Sequence, residues 1–418
     1  MSAPSPRAAK EQAELNEALH HHEARQWAEA EKSCRRILRA RPSHSQANLL
    51  LGRILKAQGK DDDAIVALKR AIAVDPKSID AYIVLGLLLQ RHGKLADAEK
   101  ALGGALALNP DHAEAQRGLG GILFDQGRFA DSVPLFRGYV AQIYSQPGGS
   151  GQWQGSAHKS RHDREQRDYL SATNPDIANS AAFFHLDSGG RVDGHAVNPD
   201  KTSGKIEVAW QKNAPQIAVI DDLLTNEALE KLREFCWRST VWQRSYSSGY
   251  LGTVPELGFA CPLLAQITEE LRATYPAILG DHTLTRCWAF KYDSRLKGIN
   301  IHADFAAVNV NFWITPDDAN LEPESGGLVI WDQPAPIDQP FEAINNPGAA
   351  AEKFLQESGA KTVTVPHRAN RAVIFDSDLY HKTDHIVFKE GYLNRRINIT
   401  LLFGRREGAP AHDHDHDH

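Results

Sequence analysis

Apolar residues recur with a helical period along the first third of the chain, and the pattern itself repeats. ANLLLGRILKAQGK and AYIVLGLLLQRHGK set apolar side chains three and four residues apart. Each is followed by a second stretch of the same kind, DDDAIVALKRAIAVDP and LADAEKALGGALALNP, that stops at a proline. Gly52, Gly86 and Gly120 lie 34 residues apart. So do Gly59, Gly93 and Gly127, and Pro42, Pro76 and Pro110, and Ala30, Ala64 and Ala98, with Ser132 next in register. Positions that keep one period describe units of two helices, with Gly and Ala where helices cross closely and Leu and Ile filling the space between. The first unit departs at one point: Arg25 stands where the others have Gly59, Gly93 and Gly127.

This spacing resembles the tetratricopeptide repeat, over residues 13–146 behind a short tail, 1–12. The resemblance implies an all-α solenoid of three to four units, each burying its core against its neighbours and offering a concave face to peptides. Composition then shifts. SQPGGSGQWQGSAHKSRHDREQRD is polar and Gly/Ser-rich with no sustained apolar period, so 147–213 reads as a linker or mobile segment. Within it HLDSGGRVDGHAVNPDKTSGK is turn-rich and reads equally as a lid or an entry strand.

From 214 to 407 the period changes to two. QIAVIDDLL, LTRCWAFKY, INIHAD, AVNVNFWIT, GLVIWD, TVTVP, AVIFDS and RRINITLLFG alternate like strands. Two helices interrupt them, one capped by Thr225 and one opened by Pro262. Many short strands with turns between them point to a barrel or jelly roll with flanking helices. The end, 408–418, is a low-complexity His/Asp tail expected to be disordered.

The chemistry sits in this second half. In a strand, His302 and Asp304 share a face. Two imidazoles and a carboxylate form the facial triad of non-haem iron(II), and the second imidazole is offered downstream by His381 and His385. His381 is preferred because it follows the apolar strand almost directly. Arg396, Asn398 and Thr400 share a face of the last strand, and a guanidinium fork suits the distal carboxylate of a dicarboxylic acid. Alternation prefers Arg396 to Arg395.

The order His-x-Asp, distal His, then Arg opening a strand resembles the iron(II)/2-oxoglutarate oxygenases, close to their prolyl-hydroxylase-like branch. The likeness runs from Ile217 to Gly404. It implies a double-stranded β-helix in which His302, Asp304 and His381 hold iron and Arg396 pairs with the far carboxylate of 2-oxoglutarate. Tyr292, ten residues before His302, would help at that carboxylate, and Asn398 and Thr400 fall in the family's final strand. The implied cofactor set is iron(II), 2-oxoglutarate and dioxygen, with ascorbate as an allowed addition. The interval from His381 to Arg396, 15 residues, is longer than in many members.

A net charge of −6 gives no global reason to expect nucleic acid. No apolar run approaches a membrane span, and the N-terminus lacks the apolar core of a secretory signal, so the expected location is cytoplasmic. The four cysteines show no CxxC spacing and read as buried thiols. The expected function is a dioxygenase hydroxylating a protein or peptide recruited by the repeats. The alternatives are a small-molecule oxygenase whose repeats serve assembly, and a repeat adaptor without turnover.

Overall fold

The computed structural model describes residues 6–145, 156–174, 183–199, 203–296, 299–336 and 349–406. The chain divides between Leu123 and Phe124 into two compact units.

The first unit is helical: α1 (Pro6–Glu23), α2 (Trp27–Ala40), α3 (Ser45–Ala57), α4 (Asp61–Val74), α5 (Ile79–Arg91), α6 (Leu95–Leu108) and most of α7 (Ala113–Asp125). Helix α1 opens at Pro6, inside the stretch read as a tail. The conserved spacing has the expected steric cause. A Cβ on Gly52 would lie 2.6 Å from Cγ of Leu68, and one on Gly86 would lie 2.5 Å from Cγ of Leu102. Paired helices therefore touch at glycine on one side and leucine on the other, around a core of Leu50, Ile54, Leu68, Leu88 and Leu102.

The second unit begins with the end of α7 and with α8 (Phe129–Tyr144), the last helix of the repeat pattern. Part of 147–213, read from composition as a linker, is built into it. Helix α9 (Ala157–Thr173) is capped by Ser156 and buries His162, Gln166 and Leu170. The Gln166 amide donates to the carbonyl of Ser239 at 2.9 Å. In residues 192–197 Val197 makes a single antiparallel bridge to Leu224, and Glu270 accepts from the backbone N–H groups of Ala196 and Val197, each at 2.8 Å.

The strands are β1 (Ile217–Ile220), β2 (Arg244–Tyr246), β3 (Tyr250–Thr253), β4 (Leu284–Tyr292), β5 (Arg295–Leu296), β6 (Val308–Trp313), β7 (Leu328–Pro334), β8 (Thr362–Val365), β9 (Ala372–Asp376), β10 (Leu379–Thr383), β11 (Ile386–Val387) and β12 (Ile397–Phe403). A seven-stranded sheet runs β1-β9-β6-β12-β4-β3-β2, and a three-stranded sheet runs β10-β7-β8. One face of the large sheet, with Cys287, Val310, Ile374 and Ile399, packs on helices Asn226–Arg238 and Pro262–Thr274 and on Phe129 and Phe136. The other face meets the small sheet through Trp313, Val373 and Phe375 against Leu328, Ile330, Val365 and Leu379. The alternation seen in the sequence is thus two different buried environments, apolar toward the helices and partly polar between the sheets.

Candidate functional site

The polar face lies between the sheets. On β6, Asn309, Asn311 and Trp313 alternate with Val308, Val310 and Phe312, and register places Thr400 opposite Asn311 and Asn398 opposite Trp313. All of these are buried. The asparagines therefore face the interior rather than solvent.

His302 and Asp304 do not lie in a regular strand. Ile299–Asp304 forms a single antiparallel bridge, His302 to His381, with paired backbone bonds of 3.0 and 2.8 Å. No longer ladder forms here among the described residues. The bridge still brings the three side chains together: one donor atom each from His302, Asp304 and His381 lies within 4.8 Å of the others. The Nδ1 atom of His302 lies 2.9 Å from the carbonyl of Asn300, and Nδ1 of His381 lies 3.0 Å from that of Leu379. Each carbonyl can only accept, so both rings carry their proton on Nδ1 and present Nε2 as a lone pair. The His381 Nε2 atom is 3.4 Å from one oxygen of Asp304, and His302 Nε2 is 4.0 Å from the other. Asp304 is itself held by the Asn309 amide, which donates at 2.6 Å. His385 is elsewhere. It is exposed and pairs with Glu322 at 2.5 Å; hydrogen bonds to Glu322 and Asp384 raise its pKa.

Arg396 is completely buried. Its Nε donates to the Gly326 carbonyl at 2.6 Å and one terminal nitrogen to the Gly327 carbonyl at 3.5 Å, while Nη1 has no partner among the described residues. The guanidinium lies 4.7 Å over the Tyr292 ring and 5.7 Å from that of Trp313. Burial lowers the Arg396 pKa and raises that of Tyr292. Tyr292 is buried, with its hydroxyl 3.5 Å from that of Thr383. Arg395 points to the other side, toward Glu165 at 2.8 Å and Asp293 at 3.5 Å.

Two residues near Arg396 were not singled out from the sequence. Trp313 leaves its indole N–H unpartnered, and buried His367 leaves both ring nitrogens unpartnered, among the described residues. Burial, with help from the Arg396 charge, pushes His367 down to about 3. Trp313 continues the Asn309, Asn311 alternation and was legible by that signal. His367 follows Pro366 in a loop and carries no such signal.

The donor set fits iron(II): two imidazoles held through Nδ1 and a carboxylate, gathered in one place in a buried setting. The buried Nη1 and indole N–H fit a carboxylate, because a guanidinium without a counter-charge in such a place is costly.

Two family models for tetratricopeptide repeats match residues 83–147 and 52–93. No curated protein matches the chain. Among solved structures, a mutant of the Thermobaculum terrenum O-GlcNAc transferase is 26% identical over 34% of this chain and 28% of that chain, with a TM-score of 0.32. A MamA protein is 22% identical over 34% of this chain and 76% of its own, with a TM-score of 0.31. MamA from Desulfovibrio magneticus RS-1 is 20% identical over 32% of this chain and 77% of its own, with a TM-score of 0.31. The chain spans 28% of the length of the transferase it matches. The N-terminal helices are tetratricopeptide repeats, followed by a β-rich region. No helix among the described residues is long and apolar enough to cross a membrane.

Proposed function

We propose that the second unit is an iron(II)- and 2-oxoglutarate-dependent dioxygenase with a double-stranded β-helix fold, and that it hydroxylates a protein or peptide recruited by the repeats. One observation carries the reading: between the same two sheets lie a His-Asp-His donor set with both imidazoles fixed through Nδ1 and a buried arginine with an unpaired Nη1. Iron(II) with 2-oxoglutarate and dioxygen would supply the oxidising power for C–H hydroxylation. The chain's own residues hold and orient. His302, His381 and Asp304 present three donors, and Asn309 keeps the Asp304 carboxylate turned toward the imidazoles. Arg396 offers its free Nη1 to the distal carboxylate beside Tyr292, while Asn398 and Thr400, joined at 3.2 Å, line the face between. Trp313, Phe375 and Leu328 keep water out, so each of these contacts counts for more than it would at the surface.

The test is metal content and turnover in the full chain. Wild type is expected to bind one iron(II). His302→Ala, Asp304→Ala and His381→Ala should lose it, and His385→Ala should keep it. With a host lysate, wild type should release succinate and add oxygen to a protein, read by mass spectrometry. Equal iron in wild type and His302→Ala would remove the reading.

A further inference from the structure

Arg286 on β4 lies on the inner face of the large sheet, in one row with Leu402 on β12 and Asn309 on β6. Two strand spacings separate it from Asn309, about 10 Å between backbones, and an arginine side chain spans most of that distance. Asn309 is the residue that bonds Asp304. Arg286 is half-buried, and unlike other arginines of this unit its side chain has no hydrogen-bond or ion-pair partner among the described residues. Arg371 has Asp221, Arg395 has Glu165, Arg233 has Glu230 and Arg406 has Asp378.

The surroundings are equally specific. Trp288 and Phe290 follow on the same face of β4, with rings 6.3 Å apart and tilted 46° to one another, an apolar surface next along the strand from Arg286. The Asn309 amide must turn its N–H toward the Asp304 carboxylate, so its Oδ1 points away; that oxygen is fully buried and has no donor among the described residues. A cation seeking a carboxylate, a buried acceptor seeking an N–H and an apolar surface along the same strand describe one kind of molecule: an acidic residue whose backbone nitrogen is an amide.

We propose that Arg286 receives a carboxylate of the substrate, with the Asn309 carbonyl oxygen taking its amide N–H, so that the oxidised molecule carries an acidic group close to the carbon that reacts. This inference rests on the oxygenase reading. The acidic group comes either from an Asp or Glu within a polypeptide or from a small N-acylated acidic amide.

The experiment uses the full chain loaded with Mn(II), a paramagnetic stand-in for iron(II), with saturating 2-oxoglutarate. Four probes are compared: N-acetylaspartyl methylamide, its asparaginyl twin, and a pentapeptide with a central Asp or a central Asn between glycines. The readout is relaxation of probe protons by the bound metal. Each Asp probe that binds should be relaxed about tenfold more than its Asn twin, as expected for a charge-assisted contact. Arg286→Gln should abolish the difference and Arg286→Lys should restore part of it, which separates lost charge from a disturbed fold. A preference seen with the pentapeptides supports a polypeptide source; a preference confined to the methylamides supports a small acid. Equal relaxation of Asp and Asn probes, or a preference that survives Arg286→Gln, overturns the proposal. Bound Mn(II) is read separately from water relaxation. Its absence would overturn the oxygenase reading and this inference with it.

Discussion

Arg25, Gly59, Gly93 and Gly127 share one backbone state, with φ of 56°, 74°, 68° and 75°. Each ends the first helix of a repeat in the left-handed region. A Cβ there costs about 1–2 kcal/mol, of which glycine's extra freedom in the unfolded chain returns part. Arg25→Gly should therefore stabilise the first repeat by about 1 kcal/mol. Slower amide hydrogen exchange across α1 and α2 is the measurement; unchanged exchange would mean that the backbone carries no strain. At the other end of the chain, two adjacent arginines have different surroundings, Arg396 against the Gly326 carbonyl and Arg395 against Glu165. Arg396→Ala should weaken 2-oxoglutarate binding by about 2–5 kcal/mol with iron still bound, because it removes a buried partner of a carboxylate. Arg395→Ala should leave that affinity nearly intact and lower stability instead, since it strips Glu165 and Asp293 of their shared cation. Titration calorimetry and urea unfolding of both variants would show a reversed pattern if the assignment were wrong.

Helix α9 has no apolar stripe to advertise it, yet it is part of the second unit's interior. Its contacts are polar and aromatic: Gln166 to the Ser239 carbonyl, and the His162 and Tyr169 rings within 5.5 and 5.4 Å of Tyr392. Burial pushes His162 down to about 3, and the Asp163 contact offsets only part of that. The sign follows directly. The folded state keeps His162 neutral, while the unfolded chain protonates near 6.5. Stability is therefore complete above about pH 6.5 and is lost as pH falls toward 3, by about 2 kcal/mol between pH 7 and pH 5. His162→Gln should flatten that slope by the same amount. Tryptophan fluorescence in urea reads the second unit, since all eight tryptophans except Trp27 lie beyond Leu123. An unchanged slope would show that His162 titrates normally.

Two cores mean that the chain can be divided, and the structure says where. Phe129, Val133, Phe136, Val192 and Val197 belong to the second unit's core. A fragment 213–418 would expose the surfaces they cover and should aggregate or bind hydrophobic dyes. A fragment 124–418 should fold. If the repeats recruit a polypeptide, that fragment should bind iron(II) and 2-oxoglutarate like the full chain but show a raised KM for the true substrate, because tethering raises local concentration. Equal KM values would leave the repeats with an assembly role.

The 34-residue period and the helix pairs were legible in the sequence, because a repeat's contacts are local and its steric demands recur at fixed spacing. The strands of the large sheet were legible for a similar reason: buried faces force alternation. The residues His302, Asp304 and Arg396 could be singled out because imidazole, carboxylate and guanidinium are rarely placed on inward faces without a use. What the sequence could not decide depended on partners far along the chain. His381 rather than His385 meets His302 because a single bridge joins two distant segments, and no other backbone pairing regularises Ile299–Asp304 among the described residues. His367 reaches the neighbourhood of Arg396 only through a loop. Helix α9 looks like linker because much of its burial rests on polar contacts such as Gln166 to Ser239, and residues 192–197 do because their few apolar side chains are spaced by turn residues and tied down by Gln266 and Glu270; a hydrogen-bond partner across the fold leaves no trace in local hydrophobicity.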